Sequence, residues 1–166
     1  MDEHSERHVN ARYERLAQRV RDELAAAGLP VTAPGLNGGF ATGAEVRVST
    51  WNQHFGAADP EVLVSWHVSP RLRGRAEEDA RRADGATPAV RQSDEARTAM
   101  ATAMTTILTA AGYTARDHGN EFSPFDVQVL AGPERRTAPA WADRDDTPAG
   151  ADRDDTPAGA DGESGN

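Results

Sequence analysis

The stretch EVLVSWHV, residues 61–68, alternates mostly apolar with polar side chains and is rich in Val. A period of two is typical of a β-strand with one buried face, because successive side chains of a strand point to opposite sides. The stretch AEVRVSTW, residues 44–51, shows the same pattern, and NQHFGAADP, residues 52–60, lies between the two. We therefore predict two antiparallel strands joined by a long hairpin loop.

Two later segments have the same character, YTARD at residues 113–117 and FDVQVL at residues 125–130. We predict a strand in each. Residues 29–32 are a further candidate, but Pro30 lacks a backbone N–H and restricts such a strand to the edge of a sheet.

Two segments have the spacing of amphipathic helices, with apolar residues three and four positions apart. The first runs from Val9 to Ala27 and is followed by Gly28, a residue typical of helix ends. The second covers residues 96–111, with Ser93 or Asp94 as predicted N-cap and Gly112 as its end. The charged, turn-rich residues 70–92 between the strands and this helix are predicted to be a mobile connection, with a short helix over 75–82.

The order of these elements is helix, three strands, helix, two strands. It predicts an α+β fold, a two-layer sandwich with two helices on one face of a mostly antiparallel sheet of four to five strands. A circularly permuted ferredoxin-like arrangement is one of several topologies that fit this order.

A faint internal similarity links LAAAGLPV, residues 24–31, with LTAAGYTA, residues 108–115. Each copy ends a predicted helix and precedes a predicted strand. Two explanations stay open at this level: duplication of a helix–strand–strand unit, or the same local solution for ending a helix before a strand.

The chain is predicted to hold one domain, residues 8–133, between a flexible N-terminus, residues 1–7, and a disordered acidic tail, residues 134–166. Eight acidic residues and two Arg fall within residues 141–166, so most of the formal net charge of −9 lies in the tail. The tail contains the nine-residue unit ADRDDTPAG twice, at 142–150 and 151–159. This unit lacks the ligand order of known calcium loops and the apolar residues of a stacking repeat, so we predict no metal site there.

Composition excludes several kinds of chemistry. The chain has no Cys, which rules out disulfides, thiolate catalysis and Cys-ligated zinc. No run of about 18 apolar residues occurs, and the first residues are charged, so we expect no membrane association and a cytoplasmic location. The basic residues are all Arg, they are outnumbered by acidic residues, and the Arg residues of 71–82 are mixed with carboxylates. We therefore do not expect nucleic acid to be a partner.

Strand parity sorts the side chains of the predicted sheet into two faces. The face toward the helices is predicted to hold Val46, Val48, Val62, Val64, Trp66, Val68, Val127 and Val129. The opposite, open face is predicted to hold Arg47, Ser49, Trp51, Leu63, Ser65, His67, Asp126 and Gln128. A Trp and an imidazole among hydrogen-bonding groups are typical of a binding surface, although an ordinary solvated sheet face, or one covered by residues 70–92, fits as well.

The main functional hypothesis is a small non-catalytic binding or regulatory module that docks a protein partner, or a second copy of itself, on this open face. Trp51 would be the apolar anchor, because Trp and Arg contribute disproportionately to interface energy. The predicted partner-binding residues are Arg47, Trp51, Ser65, His67 and Gln128.

The alternative is a small enzyme or small-ligand binder that uses His67 with Ser65 or Asp126. No nucleophile elbow or phosphate-binding Gly loop accompanies these three residues, so catalysis is the less favoured hypothesis. A loop cluster of Asp117, His118 and Glu121 is a further candidate site, although a His beside Asp in a Gly-Asn turn is more often simply turn chemistry. No cofactor or metal is expected.

Overall fold

The structure, a computed structural model, describes residues 3–33, 41–50, 59–82, 87–119, 121 and 123–133. These residues form three helices and five strands, in an order that confirms the predicted α+β class. The elements are α1 (Glu3–Ala26), β1 (Val31–Thr32), β2 (Gly43–Ser49), β3 (Glu61–His67), α2 (Pro70–Arg82), α3 (Pro88–Ala110), β4 (Thr114–Asp117) and β5 (Val127–Ala131). The predictions for Trp51, for most of the loop 52–60 and for the tail 134–166 lie outside the described residues.

The five strands form one sheet in the order β1-β2-β3-β5-β4. Strand β2 pairs antiparallel with β3, as the hairpin prediction required, and β3 and β4 each pair antiparallel with β5. The two-residue strand β1 pairs parallel with β2 at the edge of the sheet, as expected for a strand next to Pro30. This order is compatible with the circularly permuted ferredoxin-like arrangement, with β1 and α2 as additions.

Helices α1 and α3 pack on one face of the sheet and enclose a single apolar core. The parity prediction is confirmed there, because Val46, Val62, Val64, Val127 and Val129 are at most 1% exposed. They meet Val20 and Leu24 of α1 and Met104 and Leu108 of α3, all fully buried. Val48 and Trp66 are partly buried against this core, whereas Val68 lies just beyond the end of β3.

The two halves of the internal similarity end their helices in the same way. The N–H of Leu29 donates to the carbonyl of Leu24 at 3.0 Å, and the N–H of Tyr113 donates to that of Leu108 at 2.9 Å. Gly28 and Gly112 take left-handed φ values of +87° and +84°, which residues other than Gly adopt only with backbone strain. The strands that follow differ, since β1 is parallel to β2 and β4 antiparallel to β5. The shared helix termination therefore accounts for the similarity without a repeated sheet arrangement.

Tyr113, directly after this second cap, is only 6% exposed and packs in the core. Burial raises the pKa of its phenol above the ordinary value, because the anion would lose its hydration. The guanidinium of Arg19 lies 5.7 Å from the centre of the ring and acts in the opposite direction.

The region between β3 and the last helix differs most from expectation. Helix α2 has 13 residues, where a short helix over 75–82 was predicted, and it packs on α3. Helix α3 begins at Pro88, not after Ser93 or Asp94: the hydroxyl of Thr87 accepts a hydrogen bond from the N–H of Val90, and Pro88 occupies the first turn. Ser93, the predicted cap, lies inside the helix and is 7% exposed.

Helix α1 begins at Glu3, within the segment predicted to be flexible. No helix of the described residues has a stretch long and apolar enough to cross a membrane.

Gly43, at the start of β2, is held against the short edge strand. Its φ is +134°, and a Cβ built there would lie 2.3 Å from the carbonyl oxygen of Pro30. That carbonyl accepts the N–H of Ala44 at 2.8 Å, so it cannot move away without losing the β1–β2 contact. We expect Gly43→Ala to lower the free energy of unfolding by about 1 to 2 kcal/mol, from backbone strain and the displaced strand, in urea titrations followed by circular dichroism.

Gly74→Ala is the matched control for this substitution. Gly74 lies inside α2, and no atom lies within 4 Å of a Cβ built there. An Ala in a helix interior should raise the free energy of unfolding by about 0.5 to 1 kcal/mol. Equal effects of the two substitutions would contradict the role given to the close approach at Gly43.

Candidate functional site

The sheet face that points away from α1 and α3 is predominantly polar, and we call it the polar sheet face. The strand register sets its rows: Arg47 lies opposite Leu63, Leu63 opposite Gln128, and Gln128 opposite Arg116. In β2 and β3, Glu45 also lies opposite Ser65 and Ser49 opposite Glu61. Leu130 alternates with the buried Val129 and therefore belongs to the same face.

A triangle of hydrogen bonds occupies the middle of the polar sheet face. Arg47 donates through Nη1 to the hydroxyl of Ser65 at 2.6 Å and through Nη2 to Oδ2 of Asp126 at 2.7 Å. The hydroxyl of Ser65 donates to Oδ1 of the same carboxylate at 2.6 Å. Asp126 and Ser65 are only 6% and 7% exposed. Both oxygens of a nearly buried carboxylate are thus satisfied, one of them by an ion pair.

A second pair lies beside this triangle. Nε2 of His67 is 2.6 Å from Oε2 of Glu45, and the two side chains are 21% and 16% exposed. The imidazole is therefore oriented by a carboxylate on the neighbouring strand.

A third set of contacts crosses β3, β5 and β4. Gln128 donates through Nε2 to Oε2 of Glu61 at 2.6 Å and accepts from Nε of Arg116 at 3.0 Å. The same Glu61 oxygen lies 3.3 Å from Nε2 of His118, while Nδ1 of His118 is buried without a hydrogen-bond partner. Each long polar side chain in this set is held in place by a neighbour on another strand.

Three side chains of the face remain open to solvent despite this network, namely Arg47, Arg116 and Leu130. The Arg47 side chain is 37% exposed although two of its nitrogens are bonded within the sheet. Leu130 is 43% exposed, which is unusual for a large apolar side chain in a sheet. Leu63, in contrast, is buried on this face at 3% exposure. The accessible part of the polar sheet face therefore combines two guanidinium groups, each hydrogen-bonded to a neighbouring strand, with an apolar side chain.

The structure brings four of the five predicted partner-binding residues onto one face: Arg47, Ser65, His67 and Gln128. Trp51, the predicted anchor, lies outside the described residues. Ser65 is nearly buried, and its hydroxyl holds the side chain of Arg47 in place. Of the predicted loop cluster, Oδ1 of Asp117 accepts the N–H of Gly119 at 3.0 Å, and the backbone N–H of His118 donates to the backbone carbonyl of Asp126 at 2.9 Å.

Sequence reasoning missed Glu45, Glu61, Arg116 and Leu130 as members of this face. Strand parity already placed three of them on this face, because Glu45, Glu61 and Leu130 are each two positions from a residue that was named. Arg116 is placed there only by its pairing with Gln128. The pairings themselves could not be predicted, since they depend on which strands are adjacent.

The geometry does not assemble Ser65, His67 and Asp126 as a catalytic set. The hydroxyl of Ser65 bonds with Arg47 and Asp126, while the bonded partner of His67 is Glu45. A serine nucleophile needs a base within hydrogen-bond reach and an oxygen that a substrate can approach. Ser65 has a carboxylate neighbour in place of the imidazole, and its 7% exposure leaves little access.

Within the described ranges, no group of three or more His, Asp or Glu side chains is arranged to hold a metal ion. Comparison with known proteins gives no further guide to this face. No protein-family model, no curated protein and no solved structure matches the chain. Any functional conclusion therefore depends on the chemistry of the face itself.

Proposed function

We propose that this chain is a small non-catalytic binding module that docks a protein partner on the polar sheet face. The observation that carries the proposal is Arg47, which is fixed by Ser65 and Asp126 and yet leaves 37% of its side chain exposed. A guanidinium that is fixed and still accessible can receive acceptor groups from another molecule without further ordering.

The network around Arg47 lowers the cost of binding. An Arg side chain that is free in solution loses rotamer entropy when a partner immobilises it, at about 0.5 to 1.5 kcal/mol. Here Ser65 and Asp126 have already fixed the rotamer, so most of that loss has occurred on folding. The guanidinium has five N–H donors, and the bonds to Ser65 and Asp126 leave others for acceptors on a partner.

Leu130 supplies the apolar contact on the same face. Interfaces typically combine a few apolar or Arg anchors with a polar rim that excludes water. The flanking pairs, Glu45 with His67 and Glu61 with Gln128, are suited to such a rim because their polar atoms are already matched. We expect the partner to offer carboxylate or carbonyl oxygens near Arg47 and an apolar patch near Leu130.

The test uses the immobilised full chain and follows one captured protein across variants. Leu130→Asp removes the apolar contact without touching the hydrogen-bond network, and Arg47→Gln removes the charge. We expect each to reduce capture of the same protein by about tenfold or more, the equivalent of one well-buried contact. Thermal unfolding of each variant shows that the domain remains folded.

Arg12→Glu is the control, because Arg12 is exposed on α1, which covers the opposite face of the sheet. Capture that is unchanged by Leu130→Asp and Arg47→Gln, or that is reduced equally by Arg12→Glu, would contradict the proposal. Sedimentation velocity of the free chain distinguishes a different protein partner from a second copy of this chain. If the partner is a second copy, Leu130→Asp should convert a dimer to a monomer.

Trp51 stays a prediction of the sequence. It follows Ser49 in strand parity, so it would extend the polar sheet face beyond the end of β2. We expect Trp51→Ala to reduce capture of the same partner at least as strongly as Leu130→Asp, measured in the same immobilised format. Capture that Trp51→Ala leaves intact would restrict the interface to the described part of the face.

A further inference from the structure

Three arginines of helix α1 form a basic stripe, which we define as Arg12, Arg15 and Arg19. They follow one another at intervals of three and four positions, so they lie on the same side of the helix, and all three are exposed. Glu14 lies two positions after the first of them and therefore on another side. Like charges at these spacings repel one another, so anionic groups on the basic stripe would be stabilising.

The first two arginines of the basic stripe have no counter-charge close by. Within the described residues, no ion pair joins Arg12 or Arg15 to a carboxylate. Helix α3 packs beside α1, and its residues 98–110 include no charged side chain. Asp22 and Glu23 follow the last arginine of the stripe by three and four positions, so they can neutralise that end only.

The arginines of α2 are different, because their own helix supplies carboxylates. Arg75 pairs with Asp79 at 3.1 Å, and Arg82 pairs with Glu78 at 2.6 Å. An anionic chain that approached α2 would have to displace these pairs or meet the repulsion of the same carboxylates. The basic stripe of α1 is therefore the better surface for such a chain.

The end of the domain lies directly beside the basic stripe. A Cβ built on Gly132, just after β5, would lie 3.2 Å from Cδ1 of Leu16 and 3.3 Å from Nη2 of Arg19. Residues 134–166 follow in the sequence. The first nine of them, 134–142, can reach about 30 Å when extended, so the repeat units after them can lie against the stripe.

The repeated unit of the tail complements the basic stripe in charge and in length. Each copy contains DRDD, at residues 143–146 and 152–155, with three Asp and one Arg and hence a formal charge of −2. Four extended residues span about 10 Å from the first to the last. Helix α1 rises by about the same 10 Å between Arg12 and Arg19. One copy of DRDD can therefore place its carboxylates along the whole stripe.

We propose that the acidic tail folds back on its own domain and binds the basic stripe through DRDD, with the two copies exchanging on the same three arginines. The covalent link supplies an effective concentration of about 1 mM or more, which compensates for individually weak contacts. Exposed ion pairs are weak and are screened by salt, so the binding is reversible and depends on ionic strength. The basic stripe belongs to the helix layer, so the inference does not depend on the function proposed for the polar sheet face.

The test places a nitroxide spin label on the full chain at Ala149→Cys, between the two copies of DRDD. The chain has no other Cys, so the label is unique. In ¹H–¹⁵N NMR spectra at an ionic strength of about 0.01 M, where the Debye length is about 30 Å, we expect the amide signals of Arg12, Arg15 and Arg19 to lose most of their intensity. The amide of Arg75 should lose much less. At about 1 M salt, where the Debye length is about 3 Å, the intensity should return.

Substitutions in the tail and in the stripe separate charge pairing from mere proximity. Replacing the six Asp of both DRDD copies by Asn keeps the length of the tail and should abolish the loss of intensity. Deleting residues 151–159 leaves one copy and should weaken binding by only about twofold. Arg15→Gln should weaken it by about twofold or more, because one of three ion pairs is lost. Arg75→Gln is the matched control, with a side chain that is 62% exposed on α2, and should change nothing.

A mixture of ¹⁵N-labelled chain without spin label and unlabelled chain with spin label shows whether the contact is within one molecule. We expect no loss of intensity in this mixture. Loss of intensity in the mixture, a loss that persists in 1 M salt or after the Asp→Asn replacements, a loss centred on Arg47, or equal effects of Arg15→Gln and Arg75→Gln would each overturn the proposal.

Discussion

Replacing Leu108 by Ala is expected to lower the free energy of unfolding by about 3 kcal/mol. Leu108 is fully buried in α3 and contributes to the core between that helix and the sheet. Its truncation removes apolar contact with the sheet and leaves a cavity, because the Val residues of β3 and β5 are fixed by strand pairing and cannot move in to fill it. Urea titration followed by circular dichroism measures the change.

Leu130→Ala is the control, since Leu130 is 43% exposed on the opposite face. We expect this substitution to change the free energy of unfolding by less than about 0.5 kcal/mol. The same change of residue type therefore separates core packing from surface exposure. Similar losses for the two variants would mean that the core does not lie between α3 and the sheet.

Replacing Asp126 by Asn is expected to lower the free energy of unfolding by about 2 kcal/mol. Asn has nearly the same shape, but its amide cannot form the ion pair with Arg47 and can accept through one oxygen only. Ser65 and Arg47 would then compete for that oxygen. Because 37% of the Arg47 side chain is exposed, water can solvate part of its charge, which holds the loss below that of a fully buried pair.

A double-substitution cycle tests whether this loss belongs to the pair. If Arg47 and Asp126 interact as their 2.7 Å contact indicates, Arg47→Gln combined with Asp126→Asn will cost less than the sum of the two single substitutions. Asp117→Asn is the control, because Asp117 is exposed and contacts a turn N–H only. Strict additivity of the two substitutions would remove Asp126 from its proposed role of orienting Arg47.

The same cycle bears on the proposed function. Asp126→Asn keeps the residues Arg47 and Leu130 unchanged. It removes the carboxylate that orients the guanidinium of Arg47. We expect capture of a partner to weaken even though no exposed contact residue has changed. That outcome would show that binding depends on the fixed orientation of the Arg47 guanidinium and not only on its positive charge.

The local predictions succeeded where one residue pattern determined the structure. The alternation of Val in β2, β3 and β5 determined which side chains entered the core, because a slip by one residue would place polar groups such as Arg47 and Ser65 inside. Gly28 and Gly112 marked the ends of α1 and α3, since both take left-handed backbone conformations that few other residues adopt.

The prediction was wrong where several local signals compete. Ser93 and Asp94 are good helix caps by composition, but Thr87 followed by Pro88 provides the cap in the structure. The pattern of α2 is highly charged, and a helix there gains its stability from exposed ion pairs and from packing on α3. Such tertiary support cannot be read from the segment alone.

The amino-acid sequence by itself determined the class of the fold, the two core helices, the buried face of each strand and the polar character of the opposite face. These follow from periodicity and from glycine conformation, which act over a few neighbouring residues. Only the tertiary structure decided that Asp126 meets Arg47 across 79 positions of sequence and that His67 pairs with Glu45 and not with Ser65. These contacts depend on strand order and on how helices pack against each other, where side chains distant in sequence meet because the apolar core holds their backbones in place.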